Sequence, residues 1–325
     1  MSDDLSLLDV LERRAGKLAK RRQFFRSAGG LGLGLLGGTI LGACGGGSGD
    51  NANADAGAPT DAEILNFALN LEYLEATFYQ YAVFGTGLPA NLMSGAGTPG
   101  QVVAGQQVKF ADPVVAAYAK EIAKDELEHV TFLRTTLGAS AVAMPSLDVG
   151  GTDPKGAFSM AAQAAGLVPA GTPFSPYADD TSFLLGAFIF EDVGVTAYKG
   201  ASPLISNKTY LEAAAGILAA EAYHAGLIRT VLYSKGQQTP SLITAAGKIS
   251  DARDSLDGSS DDDQGIAGTG PDISNIVPLD NNGIAFSRSY NHVLNIVYLN
   301  PNAIGQGGFF PNGVNGTLHM SAPFA

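Results

Sequence analysis

The chain has 325 residues, of which 46% are hydrophobic and 15% are charged, and its formal net charge is −12. This length and apolar content suffice for one sizeable core. The acidic balance argues against nucleic acid as a partner, because few cations are available to neutralise phosphates. Cys44 is the single cysteine, which excludes an intramolecular disulfide and a cluster of thiolate metal ligands.

The N-terminal segment has the features of an export signal. Arg21 and Arg22 stand before the aromatic pair Phe24 and Phe25, and a weakly apolar, glycine-rich run follows. This order resembles a twin-arginine signal, and the run is too short and too rich in glycine for a good membrane-spanning helix. We therefore expect an exported protein.

The signal segment, residues 1–44, ends at Leu-Gly-Ala-Cys44, which is similar to the lipobox of a bacterial lipoprotein. In such proteins cleavage precedes the cysteine, which is then lipidated. A plain secretory signal with an incidental cysteine is the alternative. Residues 45–59 are rich in Gly, Ala and Asn and predict a flexible linker. The expected location is the periplasm or the cell envelope, with a lipid anchor at Cys44 in the membrane.

Four helices are predicted next in chain order. The first begins at Thr60, where Glu63 completes a capping box, and it ends at Phe84. The other three are predicted over residues 113–137, 180–198 and 208–234. About forty residues rich in Gly and Pro separate the second helix from the third, which suits a long crossover along a bundle. The prediction is an all-α four-helix bundle over residues 60–236.

The remainder of the chain, residues 237–325, predicts a largely irregular extension that packs on the bundle. Within it, residues 288–299 are expected to form one more amphipathic helix. The run DARDSLDGSSDDDQG, residues 251–265, is interpreted as a solvated acidic surface loop. A calcium site is the alternative for this run, although no ordered ligand spacing supports it.

Ionisable residues interrupt the apolar stretches of all four predicted bundle helices. The second and fourth helices each carry a Glu-x-x-His pair, and helical spacing directs the two side chains of a pair to one face. In chain order these residues are Glu72 and Glu75, then Glu126 and His129, then Glu191, then Glu221 and His224. Burying such carboxylates and imidazoles without a cation is costly. Two divalent ions would use carboxylate oxygens that can bridge them and one imidazole each.

The bundle sequence also repeats itself. Tyr79 follows Glu72 by seven residues, and Tyr198 follows Glu191 by the same interval. An arginine follows each Glu-x-x-His pair at equal distance, as Arg134 and Arg229. Seven residues are two helical turns, so each tyrosine is expected on the face of its glutamate. The repeat predicts pseudo-twofold symmetry, as expected of two metal ions bridged by carboxylates.

These motifs resemble the ferritin-like domain superfamily. The resemblance covers about residues 60–236 and is carried by NLEYLEATFY, the first Glu-x-x-His helix, FEDVGVTAYKGA and AAEAYHAGLIRTVLY. It is closest to exported ferritin-like proteins related to plant desiccation-related proteins. The resemblance implies two iron or manganese ions bound by Glu72, Glu126, His129, Glu191, Glu221 and His224. Glu75, one turn from Glu72, is the alternative ligand or an outer partner.

The resemblance also bears on two tyrosines. Tyr79 matches the tyrosine that ferritins place beside their metal centre. Tyr79 and Tyr198 are therefore interpreted as electron or proton relays, and packed core tyrosines are the alternative. The second histidine of the set is the arrangement of the oxidase and catalase branches of the superfamily.

Two functions follow from this resemblance. The first is a dinuclear oxidoreductase that reacts with dioxygen or hydrogen peroxide, as a peroxidase, a catalase-like enzyme or a ferroxidase, and protects the envelope under stress. The second is a structural or metal-binding stress protein whose metal centre holds the bundle together without turnover. A homo-oligomer is compatible with either function.

Overall fold

The computed structural model describes residues 58–270 and 273–323. The predicted signal segment and all but the last two residues of the predicted linker lie outside the described residues. Export and lipidation at Cys44 therefore stay predictions.

Helices dominate the described part of the chain. The α-helices are α1 (Asp61–Phe84), α2 (Pro113–Leu137), α3 (Ala157–Ala164), α4 (Asp180–Ala201), α5 (Lys208–Gly236), α6 (Ser241–Asp257) and α7 (Tyr290–Tyr298). Strands β1 (Val102–Val103) and β2 (Leu147–Asp148) pair in parallel, and single 3₁₀ turns cover Ala90–Leu92, Gly138–Ser140 and Ser202–Leu204. No helix among the described residues is both long enough and apolar enough to cross a membrane. The predicted all-α fold is confirmed.

Local sequence explains where the bundle helices begin and end. At the start of α1, Thr60 and Glu63 form a reciprocal capping box. Gly85 ends the same helix in the left-handed conformation, with φ of 69°, which glycine adopts without steric cost. Asp112 caps α2 ahead of a proline at its first position, and Asn207 caps α5.

Helices α1 and α4 are the central helices of the bundle. Each is buried without interruption over its middle turns, residues 64–80 in α1 and residues 183–194 in α4. Helices α2 and α5 instead bury a single stripe of side chains and expose the opposite face. The closest helix pairs are α1 with α2 and α4 with α5, as expected from two copies of one helical pair.

The crossover and the C-terminal extension complete the core of this bundle. Phe158 of α3 and Phe309 of the extension are fully buried, and their ring centroids lie 5.0 Å apart. Phe309 also packs edge-on against Phe190 of α4, at 4.9 Å. Helix α7 contributes Val293, Leu294 and Ile296 to the same core cluster. The extension therefore covers faces of the central helices that a bare four-helix bundle would leave in solvent.

The acidic run at residues 251–265 is not a solvated loop, and this interpretation is wrong. Its first half forms the last turns of α6, and Asp257 and Asp263 are 4% and 3% exposed. Two arginines pair with these aspartates, Arg253 from within the run and Arg288 from further along the chain. Arg288 Nε lies 2.6 Å from Oδ2 of Asp257, and Arg253 Nε lies 2.8 Å from Oδ1 of Asp263.

The same arginines join this cluster to the bundle. Asp192 of α4 accepts a hydrogen bond from Arg253 at 2.9 Å and another from Arg229 of α5 at 2.7 Å. Arg288 bonds Asp263 and donates to the hydroxyl of Thr196 at 2.8 Å. We refer to Asp192, Arg229, Arg253, Asp257, Asp263 and Arg288 as the arginine–aspartate network. It ties α6 and the extension to α4 and α5.

We expect Arg288→Ala to lower the free energy of unfolding by about 3–5 kcal/mol, because it removes one partner of a buried charge pair. The loss is measured by urea unfolding. Lys124→Ala is the control, since Lys124 pairs with Glu128 at 3.0 Å on the exposed face of α2 and should change stability by less than about 1 kcal/mol. Equal losses in the two variants would contradict a stabilising role for the network.

Candidate metal centre

The six predicted ligands converge in the middle of the bundle. Two groups of ligand atoms form, and within each group the atoms all lie within 4.8 Å of one another. The first group is Glu72, Glu126, His129 and Glu221, and the second is Glu126, Glu191, Glu221 and His224. Glu126 and Glu221 belong to both groups. The arrangement is two adjacent ligand sets that share two carboxylates.

The histidines mark the two halves of the site. His129 Nδ1 lies 3.2 Å from Oε2 of Glu72, 3.6 Å from Oε2 of Glu126 and 3.8 Å from Oε1 of Glu221. His224 Nδ1 lies 3.0 Å from Oε1 of Glu126 and 3.6 Å from Oε2 of Glu191. The two imidazole rings are 6.2 Å apart. Both rings therefore lie near Glu126, and each also has a carboxylate of its own, Glu72 beside His129 and Glu191 beside His224.

Several of these buried atoms have no hydrogen-bond partner. They are both carboxylate oxygens of Glu126 and of Glu221, Oε2 of Glu191 and Nδ1 of His224. Although His224 Nδ1 lies near Oε1 of Glu126, the relative orientation of the two side chains does not allow a hydrogen bond. Unpaired polar atoms at such depth cost free energy.

A divalent cation would satisfy these atoms. Ligand atoms about 2.0–2.2 Å from an ion and at right angles to each other lie about 3 Å apart, close to the two shortest separations in the site. The set of carboxylate oxygens and imidazole nitrogens suits iron, manganese or zinc. The residues present therefore fit a metal site.

Gly194 makes room for one of the shared carboxylates. It lies in the buried middle of α4, where glycine costs about 0.5–1 kcal/mol relative to alanine. A Cβ atom at this position would lie 2.3 Å from Oε2 of Glu221. Sequence reasoning missed Gly194. The available signal was its position three residues after Glu191, where the repeat places Glu75 after Glu72.

Burial and mutual charge shift the pKa values of the carboxyls. Burial raises the pKa of Glu72 to about 7 and that of Glu191 to about 8, against the opposing charges of His129 and His224. Burial and then the charge of Glu126 raise the pKa of Glu221 well above its usual range. Burial alone would raise the pKa of Glu126, but the charges of the two nearby histidines lower it to about 2.

The pKa values of both histidines are also raised. Burial lowers the pKa of His129, but the charges of Glu72 and Glu126 and the hydrogen bond to Glu72 raise it to about 11. Burial also lowers the pKa of His224, but the negative charges of the nearby Glu126 and Glu191 outweigh this effect and raise the pKa to about 9. Without a cation, protons on these imidazoles and carboxyls would balance the charge of the site.

Each of the two tyrosines donates a hydrogen bond to a glutamate in the other half of the site. The Tyr79 hydroxyl donates to Oε1 of Glu191, and the Tyr198 hydroxyl donates to Oε1 of Glu72. Each tyrosine therefore contacts the glutamate of the other helix, not the one seven residues before it. Two turns separate residues i and i+7 by about 10 Å along the axis, which is too far for a direct contact. Burial raises the pKa of both hydroxyls well above the usual range.

Other candidates lie around the ligand sets. Glu75 belongs to neither set, and its Oε1 lies beside Gly194, 3.5 Å from where a Cβ would stand. Asp125 Oδ2 lies 3.4 Å from the second ring nitrogen of His224, Nε2. Arg229 pairs with Asp192 and not with a ligand carboxylate, and Arg134 donates to the hydroxyl of Tyr73.

Comparison with known proteins adds a family and two relatives. The family model described as ferritin-like domain matches residues 60–234. The ferritin-like catalase Nec2 of Nesocodon mauritianus is 28% identical over 276 residues, which cover 79% of this chain and 84% of the relative. The desiccation-related protein PCC13-62 of Craterostigma plantagineum is 30% identical over 244 residues, covering 71% and 75%. Both similarities extend beyond the four bundle helices.

We expect the metal-free protein to lose stability as pH rises from about 5 to 9. Glu72 and Glu191 have folded-state pKa values of about 7 and about 8, above the ordinary 4.5. Their protonated forms therefore stabilise the fold, and this stabilisation is lost as the pH rises from 4.5 through the folded-state pKa values. His129 and His224, with pKa values of about 11 and about 9, stabilise the fold while protonated and lose this contribution above the ordinary 6.5. Glu126 has a folded-state pKa of about 2, below the ordinary 4.5, so its contribution to stability changes only below pH 4.5, where it is lost as the pH falls.

Unfolding of chelator-treated protein at pH 6 and pH 9 measures this effect, which should be on the order of a few kcal/mol. Glu191→Gln is the control, because glutamine does not titrate. The stability of this variant should decrease less between pH 6 and pH 9 than that of the parent protein. A stability that is flat or rising over this interval would contradict the assignment of protonated groups in the metal-free site.

Proposed function

The chain belongs to the ferritin-like domain family, and on that premise we propose that it binds two iron or manganese ions that react with hydrogen peroxide or dioxygen. The proposed ligands are Glu72, Glu126, His129, Glu191, Glu221 and His224. The observation that carries the proposal is the convergence of unpaired, buried donor atoms in two sets that share Glu126 and Glu221.

Charge balance favours two ions over one. The ligand sets contain four carboxylates, and two divalent cations neutralise four negative charges. One cation would leave two buried negative charges to be neutralised by protons. In this assignment Glu72 and His129 would hold one ion, Glu191 and His224 would hold the other, and Glu126 and Glu221 would be available to both.

The protein residues supply orientation, protons and exclusion of water. Bound iron or manganese would supply electrons and an open coordination position for an oxygen species. The Tyr79 and Tyr198 hydroxyls orient Glu191 and Glu72, and each holds a proton beside a ligand carboxylate. Tyr79 and Tyr198 are proposed as proton or electron relays on this basis. Asp125 lies where it can orient the His224 ring through Nε2.

Reaction with peroxide is supported by one relative, which is a ferritin-like catalase by name. A second candidate is a structural metal centre without turnover, and the near-complete burial of the site favours it. The four ligand carboxylates are at most 2% exposed, and the His129 side chain is 12% exposed. The other relative is a desiccation-related protein by name, which suits either candidate.

Metal analysis of protein purified without chelator tests the site. We expect two iron or manganese ions per chain, and nearly complete loss in the Glu126→Ala/Glu221→Ala variant, because both shared ligands are removed. The loaded protein is then mixed with hydrogen peroxide and dioxygen release is followed. Release at many turnovers supports a catalase-like enzyme, and stable metal without turnover supports the structural centre. A folded, metal-free parent would overturn both.

A matched glycine pair serves as the control in the same metal analysis. Gly194→Ala places a Cβ against Oε2 of Glu221 and should weaken metal binding at least about tenfold, equivalent to about 1.4 kcal/mol. Gly226→Ala lies in α5, where a Cβ would meet nothing within 4 Å, and should leave the metal content unchanged. Equal metal contents in the two variants would show that the position of Glu221 does not matter.

Export and anchoring are proposed from the N-terminal sequence. The twin-arginine motif and the lipobox ending at Cys44 place the protein in the periplasm or cell envelope, held to a membrane by lipid, with the bundle free to form a homo-oligomer. We expect Cys44→Ser to move the protein from the membrane fraction to the soluble fraction of a cell that processes such signals. An unchanged membrane fraction for this variant would contradict lipidation at Cys44.

A further inference from the structure

An apolar cavity of about 110 Å³ lies between α3, α4, α6 and α7. We call it the outer cavity. Its mouth is at Met160 and Ala164, which are exposed on α3. All of its lining side chains are apolar except Arg253, whose guanidinium is engaged by Asp192 and Asp263. The outer cavity therefore offers almost no hydrogen-bonding groups to an occupant.

A second cavity of about 20 Å³ lies deeper, between α1, α4, α7 and Phe309. We call it the inner cavity. All of its lining residues are buried, and its volume suffices for about one molecule of the size of water. Ile189 and Ile296 line both cavities. These two side chains therefore form the wall between the inner cavity and the cavity that opens at the surface.

The inner cavity ends at the candidate metal centre. Its lining includes Glu75 and Gly194. Because Gly194 has no side chain, its α-carbon separates the cavity from the Glu221 carboxylate, whose Oε2 would lie 2.3 Å from a Cβ at that position. An occupant of the inner cavity would lie next to a carboxylate shared by both ligand sets.

We propose that the outer and inner cavities form a path for dioxygen between the protein surface and the metal centre, with Ile189 and Ile296 at its narrowest point. This proposal rests on the proposed function. Dioxygen is apolar and loses little on entering an apolar cavity, whereas peroxide and water would give up hydrogen bonds there. The path serves a reaction that consumes dioxygen and equally one that releases it.

Peroxide and protons have a different approach on the opposite, polar side of the site. There the side chains of His129 and Asp125 are 12% and 32% exposed, between α2 and α5. The two sides therefore differ in chemistry, and a variant that obstructs the apolar path should distinguish dioxygen from hydrogen peroxide.

Xenon tests the outer cavity independently of metal, because it occupies apolar cavities of about this size. Crystals of the parent protein under xenon pressure should show xenon in the outer cavity. Ala162→Leu should remove xenon from the outer cavity, since Ala162 is a buried lining residue. Met160→Trp, at the exposed mouth, is the second variant, because a surface position tolerates a larger side chain.

Ala214→Leu is the matched control. Ala214 is buried on α5, 3% exposed against 2% for Ala162, and it lines a cavity of about 20 Å³ that shares Leu71 with the inner cavity but no residue with the outer cavity. Its substitution adds the same atoms at an equally buried helical position. The xenon in the outer cavity should be unaffected.

The kinetic arm uses the full protein loaded with ferrous iron and rapid mixing with each oxidant. We expect Ala162→Leu and Met160→Trp to lower the rate constant for dioxygen at least about fivefold, equivalent to about 1 kcal/mol, and to leave the rate with hydrogen peroxide unchanged. Ala214→Leu should change neither rate. An unchanged dioxygen rate in variants that have lost outer-cavity xenon would overturn the path, and so would equal slowing with both oxidants.

The two arms separate failure of the path from failure of the function. Xenon absent from the outer cavity of a parent that reacts normally with dioxygen would overturn the path alone. Xenon in the outer cavity of a metal-loaded parent that reacts with neither oxidant would overturn the proposed function and the path that rests on it.

Discussion

Four glutamate carboxylates face one another in the buried middle of the bundle, and the arrangement around them follows from the need to balance their charge. Water is too far away to do so, because the central helices α1 and α4 are buried around their middle turns. The balancing charge must come from protons or from bound cations. Protons suffice in the metal-free state, as the raised pKa values of the histidines and of most of the carboxyls indicate. Two divalent ions would replace these protons and also satisfy the unpaired ligand atoms.

The C-terminal extension sustains this low-dielectric interior. Helix α7 and Phe309 cover faces of α1 and α4 that a bare four-helix bundle would leave to solvent. The arginine–aspartate network attaches the extension at Asp192, the residue next to the candidate ligand Glu191. Burial of the network is itself expensive, so its arginines and aspartates must all be present together. Bundle and extension accordingly behave as one unit, and the similarity to both relatives extends beyond the bundle.

One break in the pseudo-twofold symmetry of the site lies directly beside the shared carboxylates. Glu75 follows Glu72 by three residues, and Gly194 follows Glu191 by the same interval. The Glu75 carboxyl therefore lies next to the candidate ligands on one side, whereas the equivalent position on the other side, Gly194, has no side chain. That gap admits the Glu221 carboxylate and brings the inner cavity to the site. The asymmetry gives the site an apolar side and a polar side, although its six candidate ligands form two sets that share Glu126 and Glu221.

The sequence by itself determined the four bundle helices, because caps and apolar periodicity are local, and it located the six candidate metal ligands on them. Caps such as Thr60 with Glu63 mark helix ends, and i, i+3 spacing places Glu126 with His129 on one face. Only the tertiary structure decided that Tyr79 and Tyr198 exchange glutamate partners, that Gly194 accommodates Glu221, and that Asp257 and Asp263 are buried. These features depend on distances between helices and on partners such as Arg288, which lies 31 residues from Asp257 in the chain. Local periodicity does not encode which side chains meet across a core.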